Sequence, residues 1–115
     1  MTDFMKALIC IAIGALIVLL IVRAIYINIS MYFARKAVVK NPTKENAWKV
    51  YTLLNARLGV TINNHPKDWA KFRDMFYKIN NSSDVPTELK DRIKKCLIKK
   101  GLYIQNMRII DNYRR

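Results

Sequence analysis

Few residues in the sequence are of types that do chemistry. His65 is the single histidine; it precedes Pro66, with Asp68 and Asp74 downstream. An imidazole titrates near neutral pH and suits a general base or a metal ligand. One histidine with two aspartates on separate helical turns, however, matches no metal-binding spacing. At the start of a helix it reads as a surface loop residue. Cys10 and Cys96 are the two cysteines, too few for a disulfide framework. Lys94 and Lys95 beside Cys96 would favour a thiolate, whereas the adjacent Leu97 predicts a small, partly buried packing residue. No Ser–His–Asp set, phosphate-cradling glycine loop or paired-cysteine motif appears. Asp68, Asp74 and Asp91 read as partners of nearby Lys and Arg rather than as acid–base groups. The sequence thus predicts no catalytic residue, no cofactor and no metal, and a protein that is not an enzyme.

Charge is the stronger signal. Lys plus Arg number 21 against 8 Asp plus Glu, a net +13. Residues 28–115 carry 19 basic and 7 acidic side chains, a net +12. Lys90, Arg92, Lys94, Lys95, Lys99 and Lys100 surround a narrow apolar seam of Leu89, Ile93 and Leu97. Arg108, Arg114 and Arg115 carry the positive charge on to the terminus. The partner-binding surface expected from this pattern is Arg92, Lys94, Lys95, Lys99, Lys100, Arg108, Arg114 and Arg115. Its ligand would be an acidic protein, anionic lipid headgroups or the phosphates of a nucleic acid. The aromatic residues do not favour base stacking. Helical spacing instead puts Trp48, Trp69, Phe72 and Phe76 on inner faces, where a small domain needs large side chains.

The N-terminal segment would anchor that surface. Residues 7–22 are apolar throughout except Gly14. Extended to 5–27, with Arg23 near the interface, they make a helix long enough to cross a hydrocarbon core of about 30 Å. Tyr26, Tyr32 and Phe33 suit an aromatic belt beyond it. The apolar stretch exceeds that of a cleaved signal peptide, and no small-x-small site follows it before Arg23. Ala7, Cys10 and Gly14 share one strip of small residues, which would let a second membrane helix approach closely.

Three soluble helices should follow, over about 42–58, 66–79 and 86–100, each opened by a proline and two of them closed by Gly59 and Gly101. Asn41 is the expected N-cap of the first. Residues 28–40 should continue the helix out of the membrane or lie along its surface. Residues 102–113 admit a fourth short helix or a small β element. The expected fold is therefore all-α: an anchor over 1–27, a basic juxtamembrane helix over 28–40, and a small helical bundle over 41–115.

Together these features predict a single-pass membrane protein that presents a basic domain to a protein partner. It would be an accessory subunit of a membrane assembly or an immunity-type protein that blocks a toxin. Tethered nucleic-acid or anionic-lipid binding is the alternative. Lys6 and the amino group precede the apolar stretch 7–22, whereas Arg23, Arg35, Lys36, Lys40 and Lys44 follow it. The positive-inside rule therefore puts the C-terminal domain in the cytoplasm and the N-terminus outside. A C-terminal reporter that is active only outside the cytoplasm should be silent, and activity would reverse the topology.

Overall fold

Thr2 starts the longest element by accepting the Met5 amide on its hydroxyl at 3.3 Å, with Asp3 in the positively polarised first turn. In the computed structural model, which describes residues 2–56 and 66–114, helix α1 then runs unbroken from Asp3 to Lys40. Its 38 residues span about 57 Å, most of the molecule's 65 Å long axis. From Asp3 to Arg23 every residue of α1 is exposed. The helix contains a window long and apolar enough to cross a membrane, none of which is buried within the protein. Beyond Arg23 the helix changes character without a break. Ile27, Met31 and Val38 are buried and Ala34 is half-buried, a stripe with helical spacing. Residues 28–40 thus form one wall of the core.

Asn41 and Pro42 end α1. A residue before proline is pushed out of helical geometry, and Asn41 is extended, its amide still closing the last turn on the Ala37 carbonyl at 2.8 Å. Helix α2, Lys44–Leu54, packs against α1. Its cap is Thr43, whose hydroxyl accepts the Asn46 amide at 3.3 Å, rather than Asn41. Pro42 lies outside α2, and the Asn46 side chain braces the corner by donating to the Asn41 carbonyl at 2.8 Å. The expected closure at Gly59, and His65 with it, lie outside the described residues.

Helix α3, Pro66–Asn81, starts on its proline and buries Phe72, Met75, Phe76 and Ile79. Helix α4, Thr87–Lys99, buries Leu89, Ile93 and Leu97, with Pro86 as its extended N-cap. Gly101 closes α4. At φ +100 it adopts the left-handed conformation, its amide bonds the Ile98 carbonyl, and Leu102 bonds back to Leu97, both at 3.0 Å. This paired closure satisfies the last carbonyls of the helix.

The protein is all-α: four helices and no strand among the described residues. Residues 102–114 are neither the fourth helix nor the β element that the sequence admits. They run extended and irregular across the bundle, with Leu102 and Ile104 buried. Trp48 also departs from expectation. Ala47, Val50 and Leu54 supply the buried face of α2, and Trp48 stands 40% exposed, edge-on to Tyr51.

The contrast between two aromatic residues is testable. Phe76 is fully buried, so Phe76→Ala should cost about 3–5 kcal/mol. Trp48→Ala should cost about 1–2 kcal/mol, because much of its surface is already in water. Thermal unfolding of the full chain in detergent, followed by circular dichroism, should rank the two in that order.

Candidate interaction surface

Helix α4 and the segment after it carry the cations singled out in the sequence, and the structure divides them into two groups. Arg92, Lys95 and Lys99 are exposed. Arg92 reaches Glu88 at 2.6 Å and Lys95 reaches Asp91 at 2.9 Å, each one turn along the helix. Exposed pairs of this kind contribute about 0–1 kcal/mol, so an incoming carboxylate can replace the internal partner at little cost. Arg108 and Arg114 are also exposed, but their backbones are engaged: Arg108 offers its carbonyl to Asn80, and Arg114 donates its amide to the Ser83 carbonyl at 3.0 Å. Arg115 lies outside the described residues. Lys100 is half-buried and caps α4 through its backbone amide.

Lys94 and Lys90 turn inward instead. Lys94 is half-buried and donates to the Met107 carbonyl. Lys90 is fully buried, and its ammonium donates to the Ile110 carbonyl and to Asn112 Oδ1, both at 2.7 Å. Opposite them, the buried Asn80 side chain on α3 donates to the Arg108 carbonyl at 2.7 Å and accepts the Ile110 amide at 2.9 Å. The Thr87 hydroxyl donates to Asp111 Oδ1 at 2.8 Å, and Asn112 donates to the Asn81 carbonyl at 3.1 Å. Segment 102–114 is thus strapped between α3 and α4 by side chains that take the place of a β-ladder partner. This is why its backbone needs neither helix nor strand. The expectation that every cation outside the apolar seam points to solvent therefore fails at Lys90 and Lys94.

Sequence signals for these straps exist. Lys90, Ile93 and Leu97 fall at i, i+3 and i+7, which places the lysine within the seam. Asn80 lies four residues beyond Phe76 on the buried stripe of α3. Trp48 gives no such warning, because an apolar type alone does not distinguish an inner from an outer position.

Of the exposed cations Arg92 meets Trp48, at a shallow depression between α2 and α4 lined by Lys44, Trp48, Pro86, Glu88, Leu89 and Arg92. An exposed tryptophan beside arginine is a pairing enriched in binding hot spots. The remaining sequence candidates are dispersed. Ala7, Cys10 and Gly14 lie exposed on α1, with nothing within 4 Å of a Cβ built at Gly14. Cys96 is half-buried, and burial pushes its thiol pKa up against the smaller opposing pull of Lys100 and Lys99; a thiol so placed is a poor nucleophile. Among the described residues no group of three His, Cys, Asp or Glu could hold a metal. No family model, no curated protein and no solved structure matches this chain.

Lys90 provides a test of the strap. Burial lowers its pKa from the ordinary 10.5, partly opposed by Asp111. Folding therefore disfavours the protonated form, and in the window below 10.5 the unfolded chain holds the proton more tightly than the folded one. Wild-type stability should rise with pH through that window relative to Lys90→Met, which has no proton to lose. At neutral pH Lys90→Met should lose about 1.5–3 kcal/mol of strap stability, the worth of a hydrogen bond from a charged group. Amide exchange of the full chain in detergent should then quicken at Ile110 and Arg114 while α3 stays protected. Unchanged exchange at Ile110 would show that the strap holds without the Lys90 hydrogen bonds.

Proposed function

We propose that this is a non-enzymatic, single-pass membrane protein whose basic bundle binds an acidic protein partner at the cytoplasmic face. In this reading it serves as an accessory subunit of a membrane assembly or as an immunity-type protein. The observation that carries it is the largely exposed Trp48 beside Lys44 and Arg92, with Lys95 and Lys99 exposed further along α4. A large aromatic side chain at the surface adds little to the core, but it offers a partner an anchor with little rotamer entropy to lose. Surrounding cations steer an acidic surface toward that anchor and select its orientation.

The apolar part of α1 supports the membrane half of the reading. It lies outside the bundle, so burial within this chain does not account for it. A bilayer would bury it, and the excess of cations following the apolar stretch supports a cytoplasmic bundle. Among the described residues the half-buried Cys96 is favoured as a thiol, and no group of three metal-ligating side chains occurs.

The test separates the anchor from the charge. Trp48→Ala and the triple variant Arg92→Gln, Lys95→Gln, Lys99→Gln should each keep the fold. Each should also weaken binding of the partner crosslinked in native membranes by about 30-fold or more, in line with a hot-spot loss of about 2 kcal/mol or more. Equal recovery with both variants would remove this face from the interface. Strong binding of the wild-type bundle to nucleic acid, weakening steeply with salt, would favour the tethered nucleic-acid reading instead.

A further inference from the structure

A second group of cations lies on the other side of the bundle, where α1 leaves its apolar stretch. Tyr32, Arg35, Lys36 and Lys40 of α1 meet Lys71 and Asp74 of α3 around one cleft. Four cations face a single carboxylate there. Among the described residues, the ion pairs within 4.0 Å are confined to α4, so no acid neutralises this group at contact distance.

The side chains are held in position. The Arg35 guanidinium is half-buried and lies 5.6 Å from the ring centres of both Tyr32 and Phe72. Lys36 reaches back one turn, bringing its ammonium to 4.6 Å from the Tyr32 ring centre. Helical side chains lean toward the N-terminus of their helix, which here is the direction of the apolar stretch. Lys36 also lowers the pKa of the Tyr32 hydroxyl, first by a hydrogen bond and then by its charge.

Depth identifies the ligand. Tyr32 lies five residues beyond Ile27, about 7.5 Å along the helix. The polar layer of each leaflet is roughly 5–7.5 Å thick, half the difference between a bilayer of about 40–45 Å and its hydrocarbon core of about 30 Å. With the span at 5–27, the ammonium of Lys36, drawn down to the level of Tyr32, lies at the outer edge of that layer, within reach of the lipid phosphates.

We infer that the cleft between α1 and α3 at Tyr32, Arg35, Lys36 and Lys71 binds the phosphate of an anionic phospholipid headgroup. The fork of Arg35 offers paired donors to phosphate oxygens. Lys36 and Lys71 close on the same group from two helices, so a bound lipid bridges α1 and α3 at the membrane surface. Asp74 at the rim disfavours a second anion. This site rests on the reading that α1 crosses a membrane. It is separate from the Trp48 and α4 surface, and requires no protein partner.

The experiment uses the full chain in nanodiscs of equal phosphatidylcholine and phosphatidylglycerol, with bound lipids counted by native mass spectrometry on release. Wild type should retain phosphatidylglycerol in preference to phosphatidylcholine. Lys36→Gln with Lys71→Gln alters two exposed side chains and spares the half-buried Arg35. It should cut that preference by about 25-fold, at about fivefold per cation. Lys36→Arg with Lys71→Arg should keep the preference, as should Lys95→Gln with Lys99→Gln, which removes the same charge from α4. Failure of the chain to insert would overturn both the membrane reading and this site. An inserted wild type without the preference, or equal losses in the α1–α3 and α4 charge variants, would overturn the site alone. Displacement of the lipid by millimolar inorganic phosphate would overturn the lipid assignment in favour of a free anion.

Discussion

The rest of the structure depends on the continuity of α1. A helix that stopped at its last strongly apolar residue would leave a bundle on a tether, free to turn relative to its anchor. Here the same helix contributes Ile27, Met31 and Val38 to the core, and α2 and α3 pack on it. The orientation of every later element is therefore set relative to the long exposed stretch of α1. No flexible linker separates the two parts, so a force or a contact at one reaches the other through a rigid rod.

That continuity constrains the corner after it. Asn41 and Pro42 turn the chain within three residues, where short loops must satisfy their own polar groups. Asn46 bonds the Asn41 carbonyl, and the Ser82 hydroxyl bonds the Pro42 carbonyl from the turn between α3 and α4. Both connections are thereby clamped at the end of the bundle farthest from the apolar stretch. The Tyr32 cleft runs along α1 and α3 from Tyr32 up to Lys40, just short of that corner.

Much of this was legible in the sequence, and the failures share a cause. Proline before a helix, glycine after one and a stripe such as Trp69, Phe72, Phe76 and Ile79 are local signals, and they located α3 and α4 to within two residues. The interior ends of α1 and α2 were less legible, because Asn41 and Thr43 are both good caps and geometry at Pro42 decides between them. Segment 102–114 was illegible as an element because it is not held by its own backbone. Its carbonyls are satisfied by Lys90, Lys94 and Asn80, which are distant in sequence. Lysine and asparagine are ordinarily surface residues, so assigning them outward is the sound default, and here it gives the wrong side. Trp48 fails in the opposite sense, as an apolar residue that the helix register turns outward.

The two misplaced groups compensate each other in the physics of the surface. A net +12 on a small bundle repels itself, and a basic chain gains by removing cations from the exposed set. Lys90 and Lys94 are removed by being given carbonyl oxygens to bond, which lets the strap close over α4 without burying an unpartnered charge. Among the remaining cations two groups stand out, one around the half-buried Arg35 with Lys36 and Lys71 and one of Arg92, Lys95 and Lys99 along α4. A uniformly basic surface would bind any polyanion with equal indifference to orientation. Two groups on different helices, one beside Tyr32 and the other beside an exposed tryptophan, give the bundle two chemically distinct basic faces instead. The charge total alone could not distinguish these arrangements; the positions of Lys90 and Lys94 do.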